Sequence, residues 1–248
     1  MKIAVRGGHT ELCTGASALI SELSEDRKVK DAVIKYLRQL GHDVLDVTPP
    51  VNYTSSSGTD LAYGVNKANS WGADLFVSIH FNKAYNSYNG AIGSEVCVYS
   101  TNDIAQRVVN ALGSLGFKNR GQKVRKELYE LKNTSMNAMI VETCFVEATE
   151  DVALYKRLGS DVIGKSIAEA IANKKVQIVN APANQSNNGV GYRVRITASV
   201  LNVRKGAGTN YSIATTVKKN EVYTIVEEKN GWGKLKSGAG FIYLDYTQ

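Results

Sequence analysis

The sequence has only three cysteines, Cys13, Cys97 and Cys144, an odd and widely spaced set without a CxxC pair. That count excludes a disulfide scaffold and a cysteine-rich closed metal site, and free thiols in a reducing compartment are expected. Apolar runs are short, and none approaches the roughly 20 residues of a membrane-spanning helix. The opening MKIAVRGGH reads as a strand running into a glycine turn, with no apolar h-region and no small-residue cleavage site. Synthesis in the cytoplasm without a signal peptide is the expectation, and any external site of action then needs a separate release route. Zinc-finger, RRM and basic-helix signatures are missing, and basic residues are scattered among acidic ones. The formal charge of +7 over 248 residues still favours a polyanion, with an anionic polymer such as teichoic acid ranked above nucleic acid.

At 43% hydrophobic, the chain can bury the core of one large domain plus a small one. Up to about residue 173, the short apolar runs KIAV, DVLDVT, DLFVSI, SEVCVY and AMIVE, with the more polar ELYEL, alternate with helical stretches. This alternation predicts an α/β domain with a mostly parallel sheet flanked by helices. The first helix is marked by Val29, Val33, Tyr36, Leu37 and Leu40 at three- and four-residue spacing, and Gly41 stands where a glycine ends it. Further helices are expected over roughly 60–70, 103–115 and 161–172. Residues 180–191, NAPANQSNNGVG, have a linker's composition. Beyond them lie several short β-type runs separated by glycine turns, the pattern of a small all-β barrel. The expected boundaries are 1–175, a linker at 176–191, and 192–248.

Histidine is scarce as well, and two of the three sit at strand ends: His9 after KIAVRGG and His80 after DLFVSI. In parallel α/β sheets the carboxyl ends of strands carry the chemistry. Glu142 follows AMIV in the same way. Glu22 precedes Val29 by seven residues and Val33 by eleven, which puts it within about 20° of that helix's apolar face. A carboxylate there needs a charge partner. Two imidazoles and a carboxylate around a metal, with one position open for water, satisfy all of these placements. The alternative pairs Glu22 with Lys28 or Arg27 at the surface and leaves Glu142 an ordinary strand-end carboxylate. His42, in the polar turn LGHD, is given no role.

GGHT, a helix-opening Glu22 nineteen residues before Gly41, ADLFVSIHFN, GAIGSEV and MIVETCFV together resemble the zinc-dependent N-acetylmuramoyl-L-alanine amidases of the amidase-3 family over residues 1–173. LNVRKGAGTNY and NGWGKL, within 192–248, resemble bacterial SH3-type wall-binding modules. The resemblance implies Zn2+ held by His9, Glu22 and His80, with Glu142 as general base and acid. It further implies hydrolysis of the amide between N-acetylmuramic acid and L-alanine in peptidoglycan, without membrane insertion. A phage endolysin released by a holin is the preferred setting; a bacterial autolysin, a mother-cell lysis amidase and an inactive wall binder are the alternatives. The sequence departs from the family pattern at several places. Val5 and Arg6 replace Asp-Pro, Asp26 replaces an Asn, Gly64 replaces an Arg, and Glu147 replaces an Asn. In the last module Tyr192, Tyr211, Trp232 and Tyr243 are candidate contacts, with Trp232 expected to pack the barrel.

Overall fold

Side chains alternate along β1 (Lys2–Gly7), so Ile3 and Val5 face one way while Ala4 and Arg6 face the other, and all four are buried. A strand buried on both faces belongs inside a sheet covered by helices. The computed structural model describes residues 1–176, 191–229 and 231–247, and divides into two compact units, Met1–Gln177 and Ile178–Gln248. After β1 come α1 (Glu22–Gln39), β2 (Asp43–Asp46), α2 (Ser57–Trp71), β3 (Leu75–Asn82) and β4 (Ser94–Val98). The unit continues with α3 (Asp103–Ser114), β5 (Asn119–Val124), α4 (Tyr129–Asn133), β6 (Asn137–Phe145), α5 (Thr149–Leu158) and α6 (Ser160–Ala172).

The six strands form one sheet in the order β2-β1-β3-β6-β4-β5. The first four run parallel, and β4 turns back antiparallel to β6 with β5 alongside it. Val29, Val33 and Leu37 of α1 pack with Ile163 and Ile167 of α6 and Val108 of α3 against Ile3, Val77 and Val141 of the sheet. The opposite face is thinner. There Ala4, Phe76 and Ile140 meet Ala68 of α2 and Leu131 of α4. Ser78, His80 and Glu142 follow Phe76 and Ile140 at even spacing, so they stand on this second face toward the strands' carboxyl ends.

The α/β class and the expected helices are found, with four local differences. ELYEL is not a strand: its last three residues open α4, with Glu130 and Leu131 buried. β5 was not legible because it is an edge strand, NRGQKV, with no fully buried residue. α5, which follows β6 directly, was not foreseen either. β3 and β6 also continue past His80 and Glu142, their pairing shifted by a bulge between His80 and Asn82.

The second unit consists of β7 (Tyr192–Arg195), β8 (Val200–Arg204), β9 (Ile213–Lys218), β10 (Val222–Lys229), β11 (Trp232–Leu235) and β12 (Phe241–Tyr243). They pair antiparallel in the order β7-β10-β11-β12-β8-β9 around Val194, Ile196, Val203, Ile225 and Ile242. Trp232 is buried, its ring 5.3 Å from that of Tyr243, whereas Tyr192 and Tyr211 are exposed. Residues 177–190 of the expected linker lie outside the described residues. Among the described residues, no helix is long and apolar enough to cross a membrane.

α1 and α6 are packed tightly at Gly164, where an added Cβ would stand 2.4 Å from Ala32 Cβ and 2.9 Å from the Val29 carbonyl oxygen. Neither neighbour can rotate away. Gly164→Ala is expected to destabilise the unit by about 1–3 kcal/mol, measured by urea unfolding; an unchanged midpoint would show that the helices separate freely.

Candidate metal centre

Glu22 opens α1 and lies almost fully buried at the sheet's carboxyl edge. Its Oε1 is 3.0 Å from His80 Nδ1 and 3.3 Å from His9 Nε2, and it accepts a 3.0 Å hydrogen bond from the Phe81 N–H. Oε2 accepts one of 2.6 Å from the Ala16 N–H. Two backbone donors thus fix the carboxylate, and the two imidazoles stand edge to face with each other, ring centroids 5.0 Å apart. The surface pairing of Glu22 is not what the chain adopts. Lys28 pairs with Glu25, and Arg27 donates to the carbonyl oxygens of Gly8 and His9. Those two bonds hold a strained turn, because His9 has φ 62°, a left-handed backbone that non-glycine residues adopt rarely.

One ligand atom from each of His9, Glu22 and His80 lies within 4.8 Å of the other two. Donors about 2.1 Å from a tetrahedral ion stand about 3.4 Å apart, close to the spacings just given. Nitrogen and carboxylate oxygen form the donor set that zinc accepts. Glycines keep this space open: a Cβ at Gly8 would fall 2.3 Å from His80 Cε1, and one at Gly15 would fall 2.5 Å from His9 Cδ2 and 2.6 Å from Glu22 Oε2. The residues present therefore fit a divalent cation.

Without a cation, the charges settle on the protein. Burial acts against a charged Glu22, but the hydrogen bonds from His80 and His9 outweigh it and hold its carboxyl far below the usual range. Burial likewise works against a charged His80, and the bond to Glu22 and its charge overcome it, raising the imidazole's pKa to about 9. A proton on His80 thus does part of what a metal ion would do, so metal binding must release it.

Glu142 is the register partner of His80 on the neighbouring strand, and its side chain leaves the same face. Its Oε2 is shielded from solvent and has no hydrogen-bond partner among the described residues. Burial pushes its pKa up to about 7, against the pull of His80 and with help from Glu22 and Glu95. A pocket of about 330 Å³ opens here, lined by the three candidate ligands, Glu142, Leu61, Phe81, Asn82, Tyr129 and Glu130. Sequence reasoning missed a buried network behind it. Arg6 pairs with Glu130 at 2.9 Å and Asp60 at 3.1 Å, and Ser78 donates to Glu130 at 3.2 Å. An arginine inside an apolar strand was the available signal, because a buried guanidinium must find carboxylates. His42 lies outside the centre, at the N-terminal amine.

Asp26, one turn after Glu22, is fully buried, and neither oxygen accepts a hydrogen bond among the described residues. Burial drives its pKa up to about 8, only partly offset by the charges of Arg27 and His80. Between about pH 4 and 8 the folded chain then holds a proton that the unfolded chain has released, so this group lowers stability as pH rises. Asp26→Asn should melt higher than the native chain by a margin that grows from pH 4 to pH 8 and is flat below. A margin independent of pH would mean that Asp26 is ionised in the fold.

The family model described as N-acetylmuramoyl-L-alanine amidase matches residues 3–173, and that of the bacterial SH3 domain matches residues 199–248. An uncharacterised protein of Clostridium perfringens is 48% identical over 192 residues, 75% of this chain but 56% of that one, so the match spans little more than half of that relative. The N-acetylmuramoyl-L-alanine amidase CwlM of Bacillus licheniformis is 30% identical over 206 residues, 80% of this chain and 75% of that one. Among solved structures, the catalytic domain of an endolysin targeting Clostridia Difficile superposes with a TM-score of 0.65 at 31% identity, covering 71% of this chain and 98% of that one. On sequence and fold together, the chain belongs to the N-acetylmuramoyl-L-alanine amidase family.

Proposed function

We propose that this protein hydrolyses the amide joining the lactyl group of N-acetylmuramic acid to L-alanine of the peptidoglycan stem peptide, with zinc held by His9, Glu22 and His80. The observation that carries this reading is Glu142: a carboxylate beside His80, without a hydrogen-bond partner at Oε2 and with its pKa raised to about 7, in a pocket shared with three convergent ligands. Zinc bound there supplies a Lewis acid for the carbonyl oxygen and lowers the pKa of bound water toward about 7. Glu142 takes the proton of the attacking water and delivers it to the departing alanine nitrogen. Burial that favours the protonated form suits a group that must accept and return a proton within one turnover. Leu61 contributes an apolar side chain to the wall of this pocket.

The division of labour we infer assigns catalysis to residues 1–175 and wall binding to 192–248. Tyr192 and Tyr211, each 47% exposed, are with Tyr246 at 50% the exposed aromatics among the described residues of the second unit, open to sugars or stem peptides, while Trp232 is buried beside Tyr243. The net charge of +7 adds attraction to anionic wall polymers. An endolysin setting, acting on the bacterial wall after holin release from the cytoplasm where it is made, fits the likeness to an endolysin catalytic domain.

Glu142→Gln separates base from ligand. Zinc content should stay at the native level and the melting temperature should not fall, while amide cleavage drops by about 10²-fold or more. His80→Ala should lose both zinc and activity. Cleavage is read by mass spectrometry of digested walls as new L-alanine amino termini; new reducing sugar ends instead would identify a glycosidase and defeat the proposal.

A chain ending at Lys175 should still cleave soluble muropeptides but sediment less with intact walls, at both low and high salt. Equal sedimentation of the short and full chains would remove the wall-binding role from residues 192–248.

A further inference from the structure

His80 has two ring nitrogens with different partners. Nδ1 points to Glu22 Oε1, while Nε2 meets Ser78 Oγ at 2.9 Å, with Glu130 Oε2 at 3.8 Å. Ser78 stands two residues before His80 on β3, hence on the same face, and is fully buried. Its hydroxyl donates to Glu130 Oε1 at 3.2 Å. A hydroxyl that gives its proton to a carboxylate can only accept from the ring, so Nε2 carries the hydrogen of that bond. Glu130 is held in turn by Arg6 Nη1 at 2.9 Å, and Asp60 binds Arg6 Nη2 at 3.1 Å. Each of these groups is buried.

We propose that Ser78, Glu130 and Arg6 form a positioning relay for His80, which keeps the ring proton on Nε2 and presents Nδ1 as the metal-binding nitrogen. The inference rests on the reading of His80 as a zinc ligand. A ligating imidazole with its distal N–H tied to a carboxylate is both oriented and made more basic, and loss of such a partner costs about 10–100-fold in metal affinity or activity. Here the tie passes through a serine hydroxyl, and the carboxylate's charge is balanced by an arginine from the strand next to β3. Arg6 has room for this because position 64 is glycine: a Cβ there would lie 3.1 Å from Arg6 Cδ. None of the three belongs to the ligand cluster, although Glu130 lines the pocket, so their role is to position His80.

The decisive variant is Ser78→Ala in the full chain, which removes one oxygen and leaves the Arg6–Glu130 pair intact. Zinc affinity, measured by chelator competition on purified protein without substrate, should fall about tenfold or more, and Glu130→Gln should weaken it at least as much. The melting temperature of metal-free Ser78→Ala protein should change little, which separates positioning from a purely structural role. Imidazole 15N shifts of the zinc-loaded native chain should show the metal on Nδ1 and the proton on Nε2. Zinc on Nε2 would overturn the relay, and so would native affinity in Ser78→Ala, even with Glu130→Gln weakened, because that variant also removes a buried charge. Should Glu130→Gln fail to fold, Ser78→Ala alone decides. If the native chain binds no zinc, the reading of the centre and the relay fall together. If the native chain binds zinc, His80→Ala does not, and Ser78→Ala matches the native chain, the relay alone falls.

Discussion

The buried carboxylate of Glu22 is the constraint from which the rest of the centre follows. It sits at the start of a helix whose apolar face is committed to the sheet, so it cannot turn to solvent without unpacking α1. The strands bring His80, a backbone loop brings His9, and the N–H groups of Ala16 and Phe81 lock both oxygens in place. Removing a charge from water is costly unless it is paired and hydrogen-bonded, and Glu22 has both. The strained backbone of His9 is tolerated because Arg27, on the turn after Glu22, binds the carbonyl oxygens on either side of the bend. Helix, loop and strand are therefore coupled through one side chain.

Much of this was legible. Helical periodicity located α1 and put Glu22 on its inner side, and the apolar runs set His80 and Glu142 at the carboxyl edge of the sheet; that β3 and β6 are neighbours with the two residues in register comes from the fold. Elements whose residues do not reveal their surroundings stayed hidden. β5 is polar because it lies at the edge, and α4 alternates like a strand although neighbouring Glu130 and Leu131 both turn inward. The Arg6 network was hidden for a further reason: its members come from β1, α2, β3 and α4, and only the fold brings them together.

Two departures from the family pattern become one in the structure. Arg6 puts a guanidinium on β1, and Gly64 leaves space on α2 where a side chain would meet the Arg6 stem. A positive charge is thus supplied to the second face of the sheet from the strand instead of from the helix. The buried carboxylates of Asp60 and Glu130 complete the exchange. Taken singly, an arginine in an apolar strand and a glycine in a helix would each weaken their element. Together they are complementary in volume and in charge.

The distribution of cations also explains why the proposed base is Glu142 and no other acid near it. Glu22 lies against the imidazoles of His80 and His9, Glu130 and Asp60 share Arg6, and Glu95 pairs with Arg120 at 2.7 Å. A carboxylate whose oxygens are taken up by a cation is not free to meet a water in the pocket. Among the described residues Asp26 has only the longer contact with Arg27, at 3.7 Å, and Glu142 Oε2 has no hydrogen-bond partner; burial raises the pKa of each. Asp26 lies behind Gly7, against Arg27, and does not line the pocket. Glu142 does, on the strand next to His80. Proton transfer requires both an adjustable pKa and access to the reacting atoms, and within this group of acids the two conditions meet only at Glu142.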